Sequence, residues 1–203
     1  IERTDNTWKG PSFQAFQVAL SHPQTARHTT IITARGHSNA TLLSGVKVLK
    51  QAGLVEHLPP QENLFGVSHP SLKGKADSPS KVKVDVMKGL LDKIAGTPLP
   101  MDAIPVVSRD GESSTPLHLW GFSDDDYENY KTAAQILAAE VAQGRWSNVK
   151  ITLFFTGKHG PHAPETKVIT PDGGLRDPKD NELEEVQEII HSDDNKQHLG
   201  LAS

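Results

Sequence analysis

The sequence contains no cysteine among its 203 residues. Disulfide bonds, cysteine-ligated zinc, iron–sulfur clusters and thiol catalysis are therefore excluded for this chain. The absence of cysteine leaves the cellular compartment open.

A long hydrophobic run is also missing. No stretch approaches the roughly 18 apolar residues that a membrane-spanning helix needs, and no signal peptide is visible at the start. We therefore expect no membrane association and a cytoplasmic location. Because the sequence begins at Ile1 rather than at Met, we expect a further segment to precede it.

The chain has no excess of basic residues. Lysine and arginine number 21, aspartate and glutamate number 25, and the formal net charge is −4. Because nucleic-acid-binding domains are usually basic, no nucleic-acid partner is indicated. The hydrophobic fraction of 35% is polar for a globular enzyme without predicting disorder. The length suits one α/β domain with a proper core.

Strand-like and helix-like patterns alternate along the chain. Apolar and β-branched runs predict strands, and apolar residues at helical spacing predict helices. The predicted strands are 29–33, 64–67, 104–107, 117–122, 149–155 and 166–170. The predicted helices are 12–22, 38–52, 80–95, 127–143 and 181–191. This alternation is typical of βα units with a largely parallel sheet.

Two of the predicted strands run directly into polar clusters. One ends in Thr33, followed by Ala34 and Arg35, and the other is followed by the acidic run 124–126. In α/β sheets, ligands bind where the strands end. A hydroxyl from one strand and carboxylates from the other would suit a phosphate and a divalent cation.

The acidic run has two interpretations. Asp124, Asp125 and Asp126 repel one another, and a hard cation such as Mg²⁺ would offset that repulsion with oxygen ligands. Alternatively, Ser123 or one of the aspartates caps the helix that begins near Tyr127.

The end of the first strand is equally open. The Thr33 hydroxyl and the backbone N–H groups of the turn at 34–36 could hold a phosphoryl oxygen. In an ordinary β-to-α turn, the same hydroxyl would only satisfy local backbone groups. Arg35 could pair with an anion or reach solvent.

Two lysines lie near the start of the predicted helix 80–95. The helix dipole does not favour a cation there, and such local exceptions often mark functional sites. Lys81 and Lys83 are the candidates, with solvated lysines as the alternative. His159 and His162 have neither a helix nor a third ligand, so they give only a weak signal for a zinc site.

The order Thr33, a lysine at 81 or 83, then Asp124 and Asp125 resembles the haloacid-dehalogenase-like (HAD) superfamily. Segment 31–36 is similar to the family's second motif. Segment 121–126, with Asn129 after it, is similar to the fourth. Segment 80–91 is similar to the third, and Lys83 fits its spacing better than Lys81. The resemblance spans about residues 12–157.

The resemblance implies a three-layer Rossmann-like parallel sheet flanked by helices. It implies a single domain over 1–203, with a core at about 12–157 and a C-terminal extension at 158–203. The implied activity is that of a Mg²⁺-dependent phosphatase or phosphotransferase. Such an enzyme acts through an aspartyl-phosphate at an open or small-capped site, on a phosphorylated substrate.

The resemblance also implies roles for individual residues. Thr33 would hydrogen-bond a phosphoryl oxygen, with Ala34 and Arg35 beside it in the phosphate-binding turn. Lys83 would neutralise charge on the nucleophile and the phosphate. Asp124 and Asp125 would hold Mg²⁺, directly or through water.

The family's first motif, Asp-x-Asp on the central strand, does not precede Thr33 in this sequence. We expect that strand upstream of Ile1. The alternative is a catalytically degenerate module of this fold that binds a phospholigand or a protein.

A rearranged motif order, with Asp124 and Asp126 as Asp-x-Asp and Thr156 as the second motif, would need Asp172 or Asp177 as its metal ligand. An unrelated receiver-like module is disfavoured, because its acidic residues would follow the first strand.

Overall fold

The computed structural model describes residues 12–72, 78–99, 118–157 and 162–179. They form an α/β protein with mixed parallel and antiparallel sheets and flanking helices. They divide into two compact units, and the boundary falls inside one helix, between Lys83 and Val84. The predicted strand 104–107 and the predicted helix 181–191 lie outside the described residues. Within the described ranges, no helix is long and apolar enough to cross a membrane.

The first unit contains a short two-stranded parallel sheet. Its strands and helices are α1 (Phe13–Ala19), α2 (Pro23–His28), β1 (Ile31–Thr33), α3 (Asn39–Gln51) and β2 (Leu64–Gly66), with a 3-10 helix at Gln61–Asn63 before β2. β1 and β2 pair so that Thr33 lies opposite Gly66. The polar end of β1 is therefore level with the end of β2.

Local signals set the ends of α3 as the sequence predicts. The Ser38 hydroxyl accepts a hydrogen bond from the Thr41 N–H at 3.2 Å, which caps the helix start. Gly53 has φ +70°, the left-handed conformation that commonly ends a helix at glycine. One face of α3 packs into the core of this unit, whose buried members are Leu20, Ala26, Val46 and Val55.

Helix α2 was not predicted. Pro23 was interpreted as the end of a helix, but it is the first residue of the next one, a position where its missing N–H costs nothing. The His22 imidazole supplies the cap, because its Nδ1 accepts from the Gln24 N–H at 3.2 Å.

The second unit is built on a four-stranded sheet in the order β3-β4-β5-β6. The elements concerned are α4 (Pro79–Ala95, which crosses the boundary between the units), β3 (His118–Asp124), α5 (Tyr127–Ala142), β4 (Val149–Phe155), β5 (Glu165–Ile169) and β6 (Leu175–Arg176). β3 and β4 are parallel, with Asp124 opposite Phe155. Helix α5 connects them and contacts β3, β4 and β5.

Only part of this sheet is parallel, contrary to the largely parallel sheet expected. β5 runs antiparallel to β4, and β6 runs antiparallel to β5. The segment that joins β4 to β5 covers only residues 156–164. A parallel return needs a crossover of about a dozen residues or more, usually a helix. The short connection therefore reverses the chain direction.

Candidate functional site

Thr33 closes β1 and is half-buried, while Ala34 and Arg35 are exposed. The Thr33 Oγ1 accepts a hydrogen bond from the Arg35 N–H at 3.4 Å, so the hydroxyl does serve the local turn. A hydroxyl that accepts one hydrogen bond still carries its own proton to donate. Thr33 can therefore organise the turn and donate to a phosphoryl oxygen.

The loop after β1 is held against the end of β2 by a glycine. A methyl group on Gly66 would lie 2.2 Å from the His37 carbonyl oxygen and 2.7 Å from the Arg35 carbonyl oxygen. Only glycine allows backbone to approach this closely. The Val67 N–H also donates to the Thr33 carbonyl at 2.9 Å. Gly66 thus fixes the path of the chain that carries Arg35.

The two candidate lysines of α4 have different environments. Lys81 is exposed, whereas Lys83 is buried with 6% of its surface accessible. Lysine is almost never this buried without a partner for its charge. Of the two lysines, Lys83 is therefore the one whose charge must be offset by its surroundings.

Asp124 is the other buried charged residue. Lys83 and Asp124, at 6% and 8% exposure, are the polar or charged side chains that the described residues bury. The Asp124 Oδ1 accepts from the Asp126 N–H at 2.9 Å and from the Asn129 Nδ2 at 3.3 Å. These contacts fix the orientation of the Asp124 carboxylate at the end of β3.

The helix-cap interpretation is confirmed for Asp126. Its Oδ1 accepts from the N–H groups of Glu128 at 2.9 Å and Asn129 at 3.2 Å, which is the N-cap geometry. Asp125 is exposed. Three adjacent aspartates therefore have three environments: one buried, one exposed and one in the cap.

The chain after β4 packs against the same loop. A methyl group on Gly157 would lie 2.0 Å from the Asp125 carbonyl oxygen. The Thr156 N–H donates to the Asp124 carbonyl at 3.0 Å. The backbone beneath Asp124 and Asp125 is thus held from the neighbouring strand.

Aromatic packing holds the helix that follows the acidic loop. The Tyr127 and His162 rings stack with centroids 3.7 Å apart, and Tyr127 meets the edge of Phe155 at 5.4 Å. His162 is therefore part of a ring stack at the start of α5. His159, the other histidine of this segment, lies outside the described residues.

Asp124 and Asp125 at the end of β3 are the residues that could hold Mg²⁺, as a partly hydrated ion. The described ranges hold no group of three or more histidine, aspartate or glutamate side chains that could bind a metal. Magnesium is usually held by one or two carboxylates, with water and substrate phosphate completing its shell. An oriented, buried Asp124 beside an exposed Asp125 matches that requirement.

The rearranged motif order finds little support in these contacts. The Asp126 side chain caps the start of α5. Asp172 accepts a hydrogen bond from the Thr170 hydroxyl, and Asp177 pairs with Lys167 at 2.7 Å. The acidic residues that this order would need for metal binding serve local structure instead.

His37 and His69 were not predicted as site residues. They lie on the loops after β1 and β2. A signal for this region exists in the sequence, because residues 6–55 contain neither aspartate nor glutamate. The predicted residues Thr33, Ala34 and Arg35 lie together in the first unit, and Asp124 and Asp125 lie together with Asn129 in the second.

No family model, curated protein or solved structure matches the chain.

Proposed function

We propose that the chain is a Mg²⁺-dependent phosphatase or phosphotransferase of the HAD type, with a three-layer Rossmann-like fold and an open or small-capped site. One observation carries the proposal. The two buried charged residues of the described ranges are Lys83 and Asp124, and the order of the motifs assigns both to the site. A cytoplasmic location remains part of the proposal.

Burial strengthens the electrostatic effect of these charged side chains on a bound phosphoryl group. Phosphoryl transfer depends mainly on positioning and on stabilising charge that develops on the phosphoryl oxygens. A cation in a low-dielectric environment acts more strongly on that charge than one in water. In the proposed function, Lys83 supplies the buried positive charge, and the Thr33 hydroxyl and Arg35 bind phosphoryl oxygens.

Asp124 and Asp125 are the proposed holders of Mg²⁺, which would neutralise charge on the substrate phosphate when bound. The hydrogen bonds from the Asp126 N–H and the Asn129 amide orient Asp124. Partners of this kind usually matter for metal affinity nearly as much as the ligands themselves. Asn129 is therefore a proposed positioning residue.

A non-catalytic function is the second candidate. It applies if no Asp-x-Asp sequence precedes Thr33 in the whole protein, because the aspartyl-phosphate route needs that nucleophile. A module that retained Thr33, Arg35 and Lys83 without the nucleophile would bind a phosphorylated ligand and release it unchanged.

Hydrolysis of a generic aryl phosphate with Mg²⁺ tests the catalytic proposal. Asp125→Asn should lower turnover by about 100-fold or more, because a lost metal ligand removes several kcal/mol of charge stabilisation. Asp126→Asn is the matched control, since asparagine caps a helix as well as aspartate. Equal rates in wild type and Asp125→Asn would reject the metal role. No turnover in the wild type, together with phosphate binding, would favour the non-catalytic module.

A further inference from the structure

The residues that directly follow β1 and β2 carry basic and neutral side chains, and the first acidic residue after β2 is Asp77. Residues 34–38 and 67–72 include one arginine and two histidines, and no acidic residue. The acidic residue nearest to β2 in sequence, Glu62, lies in the 3-10 helix directly before the strand and so belongs to its opposite end. Arg35, His37 and His69 are named the basic rim below.

Backbone contacts bring the two loops of the basic rim together. A methyl group on Gly36 would lie 3.3 Å from the Ser68 carbonyl oxygen. The His69 N–H donates to the Gly66 carbonyl at 2.9 Å, which turns the second loop directly after β2. Arg35 and His37 are exposed and His69 is half-buried. The basic rim thus lies at the carboxyl ends of the strands, where α/β sheets bind ligands.

The hydrogen bonds of His69 determine which ring nitrogen carries the proton. Its Nδ1 accepts from the Ser71 N–H at 3.3 Å and lies 2.8 Å from the Ser71 hydroxyl. A neutral imidazole that accepts at Nδ1 carries its proton on Nε2. His69 therefore presents an Nε2–H donor without needing a positive charge.

We infer that the basic rim binds a second phosphoryl group of the substrate, so that the substrate class is doubly phosphorylated. This inference rests on the proposed function. There, Thr33, Lys83 and Arg35 serve one phosphoryl group, and the five N–H donors of Arg35 allow it to contact a second group as well. The donors of His37 and His69 lie further along the two loops, and residues 34–38 and 67–72 contain no acidic side chain to offset the positive charge of Arg35. A monophosphate would leave these donors unused, and a diphosphate or bisphosphate engages them.

Isothermal titration of the full chain with pyrophosphate and with inorganic phosphate, in excess EDTA, tests the basic rim directly. Wild type should bind pyrophosphate about tenfold or more tightly than phosphate, because each added contact to a charged group contributes substantially. His37→Gln and His69→Gln should each remove most of that preference. His28→Gln, an exposed histidine on α2, should leave it intact.

Either of two results overturns the basic rim: no pyrophosphate preference in wild type, or an unchanged preference in both rim variants. Circular dichroism identifies a variant that fails to fold. The exposed His37→Gln substitution provides a test even if His69→Gln disturbs its loop. If the wild type prefers pyrophosphate to phosphate but does not hydrolyse aryl phosphate, the result supports ligand binding at the basic rim and rejects the catalytic proposal. Normal turnover without the preference rejects the basic rim alone.

Discussion

At the scale of the residue, environment rather than identity separates the three aspartates that follow β3. Asp124 is buried and oriented by two donors, Asp125 is exposed, and Asp126 caps α5. A single side-chain type thus provides an oriented acceptor, a solvent-accessible acceptor and a helix cap. This division is why Asp126→Asn can act as a control for substitutions at the other two positions.

Gly66 gives a prediction at this scale. Gly66→Ala would push a methyl group to 2.2 Å from the His37 carbonyl oxygen, so the loop carrying Arg35 must move. We expect a loss of about 2–4 kcal/mol in the free energy of unfolding, measured by urea denaturation. Gly45→Ala is the matched control, because nothing lies within 4 Å of its added methyl group. In mid-helix, that change should stabilise by about 0.5–1 kcal/mol.

Equal unfolding free energies for the two alanine variants would contradict the close approach at Gly66. A large loss at Gly66 with phosphate affinity unchanged would show that the path of the loop does not set phosphate binding.

The predicted site residues show what a sequence can reveal at this scale. The positions of Thr33 and Asp124 at strand ends could be predicted, because each follows a β-rich run. The burial of Lys83 could not, because it depends on packing by residues distant in sequence. His37 and His69 were missed because a single histidine in a loop carries no pattern, and their proximity becomes visible only in the pairing of β1 with β2.

At the scale of the element, a charged cluster ties α4 to the end of α5. Arg145 bonds Glu140 and Asp92, at 2.7 Å each, and Lys88 pairs with Glu140. The Trp146 indole N–H also donates to Asp92 at 2.7 Å. Lys88 and Arg145 hold the pKa of Glu140 below its ordinary value of 4.5. Trp146 and Arg145 hold the pKa of Asp92 below 3.8.

These pKa shifts predict how the stability of this helix pair depends on pH. A carboxyl group whose pKa is lowered by folding stabilises the folded state fully above its ordinary pKa, and that contribution is lost as pH falls through the folded value. Urea midpoints of the wild type should therefore decline below about pH 4.5. Arg145→Gln should be less stable at pH 6 and should lose less on acidification.

Arg27→Gln is the control for this prediction, since the exposed Arg27 on α2 contacts the neutral Gln24. Its pH profile should follow the wild type. Parallel profiles for wild type and Arg145→Gln would show that the cluster makes no net contribution, as happens for many exposed ion pairs.

Most elements could be predicted from local signals. The predicted strand 149–155 matches β4, and the predicted helix 127–143 matches α5 within one residue, because both have strong periodicity and clear ends. Helix α2 was missed because Pro23 can either stop a helix or start one. The predicted strand 166–170 matches β5 within one residue. Its antiparallel direction and the strand β6 were not predicted, because strand direction follows from loop length and pairing rather than from the pattern within a strand.

At the scale of the whole molecule, the proposed function requires the phosphate-binding residues and the metal-binding residues to act on one phosphoryl group. If both sets serve one ligand, Mg²⁺ and phosphate must raise each other's affinity by the same factor. That coupling is independent of whether the chain carries a nucleophile.

The most direct test is therefore the affinity of the full chain for inorganic phosphate, measured by isothermal titration with Mg²⁺ and again with EDTA. We predict that Mg²⁺ tightens phosphate binding about tenfold or more. The gain should disappear in Asp124→Asn and Asp125→Asn but persist in Asp126→Asn. A phosphate affinity that is the same with Mg²⁺ and with EDTA would contradict the account.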